Sequence, residues 1–176
     1  MHPRGTCYAR LVASAEVHAA SAETREELGR GPVLLFDGEC GVCATSVQWV
    51  LAHERSETLR SKTLRFAALQ SPAGRALFAG AGLAHGVDSL IWLEANGMKV
   101  RVDYYADAVR SVVRYVGGPW RFLLVLLALT PRPVRDLGYR LFARHRQAVA
   151  ARQCLIPTPT QKARFFERLG SLGPAQ

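Results

Sequence analysis

Two cysteines three residues apart carry the clearest chemical signal in the sequence. Cys40 and Cys43 form a Cys-Gly-Val-Cys motif, and Asp37 precedes it by three residues. Two intervening residues let the second thiol reach the first and close a disulfide. Thiolates attack disulfides, so the motif predicts thiol–disulfide exchange in which Cys40 attacks and Cys43 resolves the mixed disulfide.

Asp37 admits two interpretations, and the sequence leaves both open. A partly buried carboxylate at the end of a strand can accept and return the proton of Cys43. Alternatively, Asp37 and Gly38 form a turn in which the carboxylate accepts local backbone N–H groups.

The dithiol needs a strand and a helix to position it, and the flanking sequence predicts both. Val33–Phe36 is a short apolar run between Gly-Pro and Asp-Gly, which is typical of a strand buried on both faces. From Cys43 to His53, apolar residues recur at i, i+4, i+7 and i+8, which indicates a helix. Unpaired N–H groups and a positive dipole at the start of that helix favour a thiolate at Cys40.

The sequence that follows predicts a small mixed sheet with helices on its faces. Leu64–Leu69 and Ser89–Leu93 are further strand candidates, and Lys99–Val102 returns from the latter after an Asn-Gly turn. Helices are predicted over 72–80 and 109–116. The order is β-α-β-α-β-β-α, in which the first two strands are parallel and the last two form a hairpin.

Composition predicts one globular domain with an extension at each end. The 176 residues are 49% hydrophobic and 21% charged, which excludes a disordered or fibrous chain. Residues 1–30 are predicted to be a poorly ordered extension with at most a loose helix over 14–28, and residues 31–118 to be the core. Residues 119–176 show no strand signal and are predicted to be a helical appendage packed on the core, with a last helix over 160–169. Trp49 and Trp120 are expected to be packing residues, the second at the junction of core and appendage.

The net charge of +9 lies almost entirely in that appendage, which contains ten Lys or Arg residues and only two Asp or Glu residues. This distribution argues against a uniformly basic nucleic-acid binder and predicts a basic C-terminal surface. An apolar stripe with arginines on its other face runs over 134–149. Phe122–Leu129 is apolar but too short to cross a bilayer, so a buried or interfacial helix is expected there. Because no signal peptide is evident, the predicted compartment is the cytoplasm.

Metal binding is the main alternative use of the two thiols. A closed zinc site needs two further ligands, and the candidates are Cys154, Cys7, His53, His85 and His145. None of these forms a second Cys-x-x-Cys or a His-x3-His pair, so the sequence predicts no metal and no cofactor. The alternative function is a non-catalytic module that senses redox state or holds a metal, while its basic region docks on a partner protein or an anionic membrane surface.

The motif and its surroundings resemble the DCC family of predicted thiol-disulfide oxidoreductases, named for an Asp-Cys-Cys motif. Asp37, Cys40 and Cys43 match that motif, and the resemblance extends over about residues 32–168. Later matching segments are Leu64–Pro72, Asp88–Leu93, Gly117–Trp120 and the Cys-Leu-Ile-Pro-Thr-Pro run that begins at Cys154. The resemblance implies a thioredoxin-like fold and dithiol–disulfide activity on protein or low-molecular-weight disulfides, with a thiol electron donor.

Three further positions are candidate accessory residues. Cys154, the companion cysteine of the resemblance, can be a third redox cysteine, a ligand or a packing residue; we predict that it is buried and not bonded to Cys40 or Cys43. Thioredoxins carry a cis-proline before the third strand, whereas this sequence has Val-Asp-Ser-Leu there. Asp88 or Ser89 is therefore predicted to face the dithiol, where a carboxylate would oppose thiolate formation.

Overall fold

A computed structural model describes residues 14–17, 20–54, 63–83, 90–131, 134, 159–167 and 169. Secondary structure accounts for most of these residues. Its elements, in chain order, are β1 (Ser14–Val17), α1 (Ala22–Gly29), β2 (Val33–Phe36), α2 (Gly41–His53), β3 (Arg65–Ala68), α3 (Pro72–Gly80), β4 (Ile91–Asn96), β5 (Lys99–Tyr104), α4 (Tyr105–Val116), a 3-10 turn at Gly118–Trp120, α5 (Arg121–Leu129) and α6 (Pro159–Lys162).

The five strands form one mixed sheet in the order β1-β5-β4-β2-β3. β2 is parallel to β3 and antiparallel to β4, and β4 and β5 form the predicted hairpin. Gly97, at φ +61°, makes the turn of that hairpin, a conformation that favours glycine. The predicted α/β class is confirmed, and the strands that follow α1 have a thioredoxin-like arrangement.

Strand β2 is buried on both faces because helices cover both sides of the sheet. Val33 and Leu35 point into a core shared with α1 and α3, whereas Leu34 and Phe36 point into a second core shared with α2 and α4. This explains the uninterrupted apolar run, since a strand with one solvated face would alternate with polar residues. The central position of β2 fixes the loop that follows it, which carries the dithiol.

The expectation of a poorly ordered extension over 1–30 is wrong for the part that the structure describes. Residues 14–17 are a strand paired with β5, whereas α1 overlaps the second half of the loose helix expected over 14–28. Ser21 caps α1 by accepting a hydrogen bond from the Thr24 N–H at 3.2 Å. Leu28 joins the core, and Glu27 forms a buried ion pair with Arg65 on β3. The weak apolar period of the segment concealed these contacts, because backbone pairing and one ion pair leave no periodic pattern.

The last helix is shorter than predicted. It ends at Lys162, and the chain then runs beside β3, where Phe165 forms a parallel bridge with Phe66. Phe66 donates its N–H to the carbonyl of Arg164 at 2.9 Å, and Phe166 donates to the carbonyl of Phe66 at 3.2 Å. A segment predicted as helix therefore covers the open edge of β3. The free N–H and C=O groups of that edge outweigh the helical spacing of the apolar residues.

Only the first residue of the predicted apolar stripe over 134–149, Val134, lies within the described residues, and it is exposed. The division of the chain at residues 30 and 118 stays a prediction. Among the helices of the described residues, none has the length and apolar character needed to cross a bilayer.

Candidate active site

The dithiol lies where β2 gives way to α2. Cys40 is the N-cap residue of the helix, in an extended conformation at φ −95° and ψ 112°, and Cys43 occupies the first helical turn. Cys40 is half-buried, whereas Cys43 is only 5% exposed and packs among the apolar residues of α2 and α4. Both are free thiols. Cys40 is therefore the more accessible of the two residues, and Cys43 is sequestered.

Asp37 shapes the loop that leads to Cys40. Its backbone carbonyl accepts a hydrogen bond from the Cys40 N–H at 3.2 Å, and its carboxylate Oδ1 accepts one from the Glu39 N–H at 3.0 Å. The turn interpretation of Asp37 thus has direct support. The proton-carrier interpretation remains compatible with it, because within the described residues the hydrogen bonds to this carboxylate fall on Oδ1 and not on Oδ2.

The surroundings of Cys43 keep its thiol protonated. Burial is the largest cause and, with the neighbouring charges, raises the pKa of Cys43 from 9.0 to about 12. The charge of Cys40, a hydrogen bond with Cys40 and the charge of Asp37 act in the same direction, while a hydrogen bond from the Asp37 backbone lowers the pKa. At neutral pH, Cys43 is consequently a thiol that reacts only when a base takes its proton.

Gln70, which follows β3, binds the Asp37 loop at two points. Its Nε2 donates to Oδ1 of Asp37 at 2.7 Å, and its Oε1 accepts from the N–H of Gly38 at 3.0 Å. One planar amide thereby fixes both the carboxylate and the backbone beside it. Since Gln70 occupies Oδ1, it sets the rotation of the carboxylate and determines where Oδ2 lies.

Gln70 is itself held by the start of α3. Ser71 caps this helix, accepting from the Gly74 N–H at 3.0 Å and donating to the Ala68 carbonyl at 2.7 Å. Arg75 donates to the carbonyl of Gln70 at 2.6 Å. Gly74 is required at its position, because a Cβ atom there would lie 2.0 Å from the carbonyl oxygen of Ala68. The end of β3 and the start of α3 therefore hold the backbone of Gln70 in place, and its exposed side chain reaches the Asp37 loop.

Aromatic residues support both ends of the site. Phe165, from the C-terminal segment, stacks on Phe66 at a centroid distance of 5.0 Å and meets Phe36 edge-on at 6.3 Å. Phe36 is the last residue of β2, so the C-terminal segment backs the loop of the dithiol. At the other end of α2, the Trp120 ring lies 5.0 Å from that of Trp49, so the two predicted packing residues contact each other.

The structure brings together three of the predicted site residues, Asp37, Cys40 and Cys43. Asp88, Ser89 and Cys154 lie outside the described residues, so their predicted roles stay predictions. Gln70 was missed by the sequence reasoning. It could have been found, because parallel strands β2 and β3 end at the same sheet edge and the residues that follow them must meet.

The described residues contain no group of three or more His, Cys, Asp and Glu side chains that could hold a metal ion. His53, one of the ligand candidates, lies at the far end of α2 and stacks on Trp49 at a centroid distance of 4.8 Å. Chemically, the site offers an accessible thiol, a buried thiol in the next turn and a carboxylate held close to the second.

Comparison with known proteins agrees with this chemistry. The family described as DCC1-like thiol-disulfide oxidoreductase matches residues 34–152, a stretch that includes both cysteines and Gln70. The chain is 33% identical to the uncharacterised protein YuxK of Bacillus subtilis over 137 residues, which cover 76% of this chain and 93% of YuxK. It is 32% identical to a chloroplastic DCC family protein of Arabidopsis thaliana over 127 residues, which cover 72% of this chain and 69% of that protein. No solved structure matches the chain.

Proposed function

Because the chain belongs to the DCC1-like thiol-disulfide oxidoreductase family, we propose that it catalyses thiol–disulfide exchange through Cys40 and Cys43. Family membership supports a redox function. The assignment of the two cysteines, the role of Asp37 and the nature of the substrate are the finer parts of the proposal.

The observation that carries the proposal is the unequal burial of the two thiols. Cys40 is half-buried at the N-cap of α2, whereas Cys43 is 5% exposed. The first turn of α2 contains no acidic residue that would oppose a negative charge at the positive end of the helix dipole. Cys40 is therefore the thiol that an entering disulfide reaches more easily, which supports attack by Cys40 and resolution by Cys43.

The reaction proceeds in two exchanges. The thiolate of Cys40 attacks one sulfur of the substrate disulfide, forming a mixed disulfide and releasing the other substrate sulfur as a thiolate. Cys43 then loses its proton and attacks the Cys40 sulfur, releasing the second substrate thiolate. The protein ends with a Cys40–Cys43 disulfide and the substrate is reduced by two electrons; with a thiol donor the same steps run in reverse.

The pKa of Cys43 changes during the reaction, and this change determines when the second exchange can occur. Two of the causes that raise this pKa, the charge of Cys40 and the hydrogen bond with it, disappear once the Cys40 sulfur is bonded to substrate. Cys43 thus becomes more acidic when its attack is needed.

Asp37 is proposed as the acceptor of the Cys43 proton. Its carboxylate is close enough to Cys43 for its negative charge to raise the pKa of the thiol. Transferring the proton to Asp37 removes the two adjacent negative charges that would otherwise form. Gln70 and the Glu39 N–H hold Oδ1, so Oδ2, which shares no hydrogen bond with the part of the chain that the structure describes, is the atom assigned to this transfer.

The substrate class is a protein or low-molecular-weight disulfide, and the donor is a thiol. Single cysteine variants test the assignment, with a small aromatic disulfide as substrate. Cys43→Ser should accumulate a mixed disulfide at Cys40, detected by intact mass, while Cys40→Ser should form none at neutral pH. Redox titration of the natural chain should give one two-electron transition. A mixed disulfide trapped at Cys43 would reverse the roles, and stoichiometric zinc in the purified protein would favour the alternative of a metal-holding module.

A further inference from the structure

Helix α5 presents an exposed apolar face. Among the described residues, the large hydrophobic side chains that remain exposed are concentrated here: Phe122, Val125, Leu126 and Leu129 are 51–74% exposed. Their spacing of i, i+3, i+4 and i+7 places them on one side of the helix. Apolar surface gathered on a single face marks an interaction site, whereas isolated exposed residues do not.

The charges around this face have one sign. Between residues 111 and 131 the chain carries Arg114 and Arg121 and not one Asp or Glu, whereas the earlier Arg110 is paired with Asp107 at 3.4 Å. Arg121, the first residue of α5, and Arg114, in the last turn of α4, are exposed. The whole stretch from 119 to 176 has a net charge of +8. An apolar helix face flanked by arginines matches the interface of an anionic bilayer, in which acyl chains take the apolar side chains and headgroups the guanidinium groups.

We propose that α5 docks this protein on an anionic membrane surface, lying in the plane of the interface. The nine residues of α5 rise about 14 Å, against about 30 Å for the hydrocarbon core, so the helix lies on the membrane rather than across it. Partition then depends on both the apolar face and the arginines. This inference goes beyond the proposed exchange activity and stands independently of it.

The position of α5 leaves the dithiol accessible during docking. Trp120, immediately before α5, lies 5.2 Å from the ring of His53 and 5.0 Å from that of Trp49, at the C-terminal end of α2. Cys40 is at the other end of this helix, whose 13 residues rise about 20 Å. Membrane contact at α5 would therefore hold the dithiol away from the lipid, where partner thiols could reach it.

Vesicle binding by the full chain tests the proposal. The natural chain should sediment with phosphatidylcholine vesicles that contain phosphatidylglycerol, at least about 10-fold more strongly than with phosphatidylcholine alone, because each arginine near the surface contributes to binding. Raising the salt from about 0.1 M to about 0.5 M should release it. Tryptophan emission should shift to shorter wavelength on binding, because Trp120 adjoins the inserted helix.

Matched variants distinguish membrane binding from the other ways in which the apolar face of α5 could be covered. Leu126→Glu with Leu129→Glu should abolish sedimentation, whereas Met98→Glu, at a residue 80% exposed on the β4–β5 hairpin, should leave it unchanged. Equal loss in both variants, or equal binding to both kinds of vesicle, would overturn the proposal. A concentration-dependent dimer that the double variant dissociates would instead assign the face to a second copy. A large drop in melting temperature of the double variant would show that the chain itself covers the face, and would also overturn the proposal.

Discussion

Gln70 donates a hydrogen bond to Oδ1 of Asp37 across 2.7 Å, from the turn that follows β3, the strand parallel to β2. The same amide accepts from the Gly38 N–H at 3.0 Å, so rotation of either side chain would break a bond. Because Asp37 also accepts from the Glu39 N–H through the same oxygen, the two donors fix the plane of the carboxylate. The turn after the neighbouring strand thus controls how the proposed proton acceptor faces Cys43.

Replacing Gln70 with leucine should slow the resolving step while the fold persists. The variant keeps the size of the side chain but loses the hydrogen bond to a charged group, which is expected to lower the rate of resolution about 10-fold at neutral pH. The difference in resolution rate between the variant and the natural chain should become smaller as the pH approaches the pKa of Cys43, because the thiol then ionises without the help of a base. Stopped-flow measurement of mixed-disulfide decay gives the rate. Gln48→Leu, at an exposed position on α2, is the control and should match the natural chain.

Asp37→Asn should lower the pKa of Cys43 and nevertheless slow the attack of Cys43 on the mixed disulfide. Removing the carboxylate charge takes away one of the causes that raise the pKa of Cys43, so this pKa should fall. A proton acceptor is lost at the same time, so resolution should nevertheless slow, by about 100-fold if Asp37 acts as a general base. Thiolate absorbance and mixed-disulfide decay measure the two quantities. Unchanged kinetics between pH 6 and 9 would leave Asp37 only its role in the turn.

The pKa of Cys43 should fall when Cys40 is replaced. In Cys40→Ala, the charge and the hydrogen bond that raise the pKa of Cys43 are both absent, so the pKa should fall below about 12. It should stay above the ordinary 9.0, because burial is the largest cause and the variant leaves it in place. Ultraviolet absorbance of the thiolate against pH measures this value. An unshifted titration would show that the two thiols do not interact.

The same pKa links the stability of the reduced protein to alkaline pH. An unfolded chain ionises this cysteine near pH 9.0, whereas the folded chain keeps the thiol up to about pH 12. The stabilisation is therefore fully present below pH 9 and is lost as the pH rises through about 12, with the free energy of unfolding falling over that range. Urea unfolding of the reduced natural chain and of Cys43→Ala, at several pH values, isolates the effect. Parallel curves for the two proteins would contradict it.

Local sequence patterns predicted the elements around the dithiol because they are governed by local physics. Val33–Phe36 and the helix over 72–80 agree with the structure residue for residue, since a buried strand and a proline-initiated helix leave clear patterns. The two ends of the chain were harder. The strand at 14–17 depends on pairing with β5, and Phe165 depends on the free edge of β3, so both are decided by residues far away in the sequence.

The residues of the site also fall into two groups, those that local sequence predicts and those that depend on distant strand pairing. Cys40, Cys43 and Asp37 are recognisable because the motif is contiguous and its chemistry follows from spacing. Gln70 lies 33 positions from Asp37, and only the parallel pairing of β2 with β3 brings the two side chains together. A polar residue directly after the second of two parallel strands is the signal that identifies such a partner.

Arg164 anchors the C-terminal segment that backs the site, and its removal should destabilise the protein strongly. It donates to both carboxylate oxygens of Glu54, at 2.5 and 2.6 Å, and the two side chains are only 15% and 2% exposed. Arg164→Met would leave a buried carboxylate unpaired, which is expected to cost about 3–5 kcal/mol in urea unfolding. Adding Glu54→Gln should recover part of this loss, since the uncompensated charge is then absent.

Arg110→Met is the matched control for that variant. Arg110 pairs with Asp107 at 3.4 Å, but its side chain is 38% exposed, so its loss should cost no more than about 1 kcal/mol. Arg164→Met should also slow disulfide exchange, because the neighbouring Phe165 packs on Phe36 directly before Asp37. Equal destabilisation by the two arginine variants would show that the C-terminal segment is not held through Glu54.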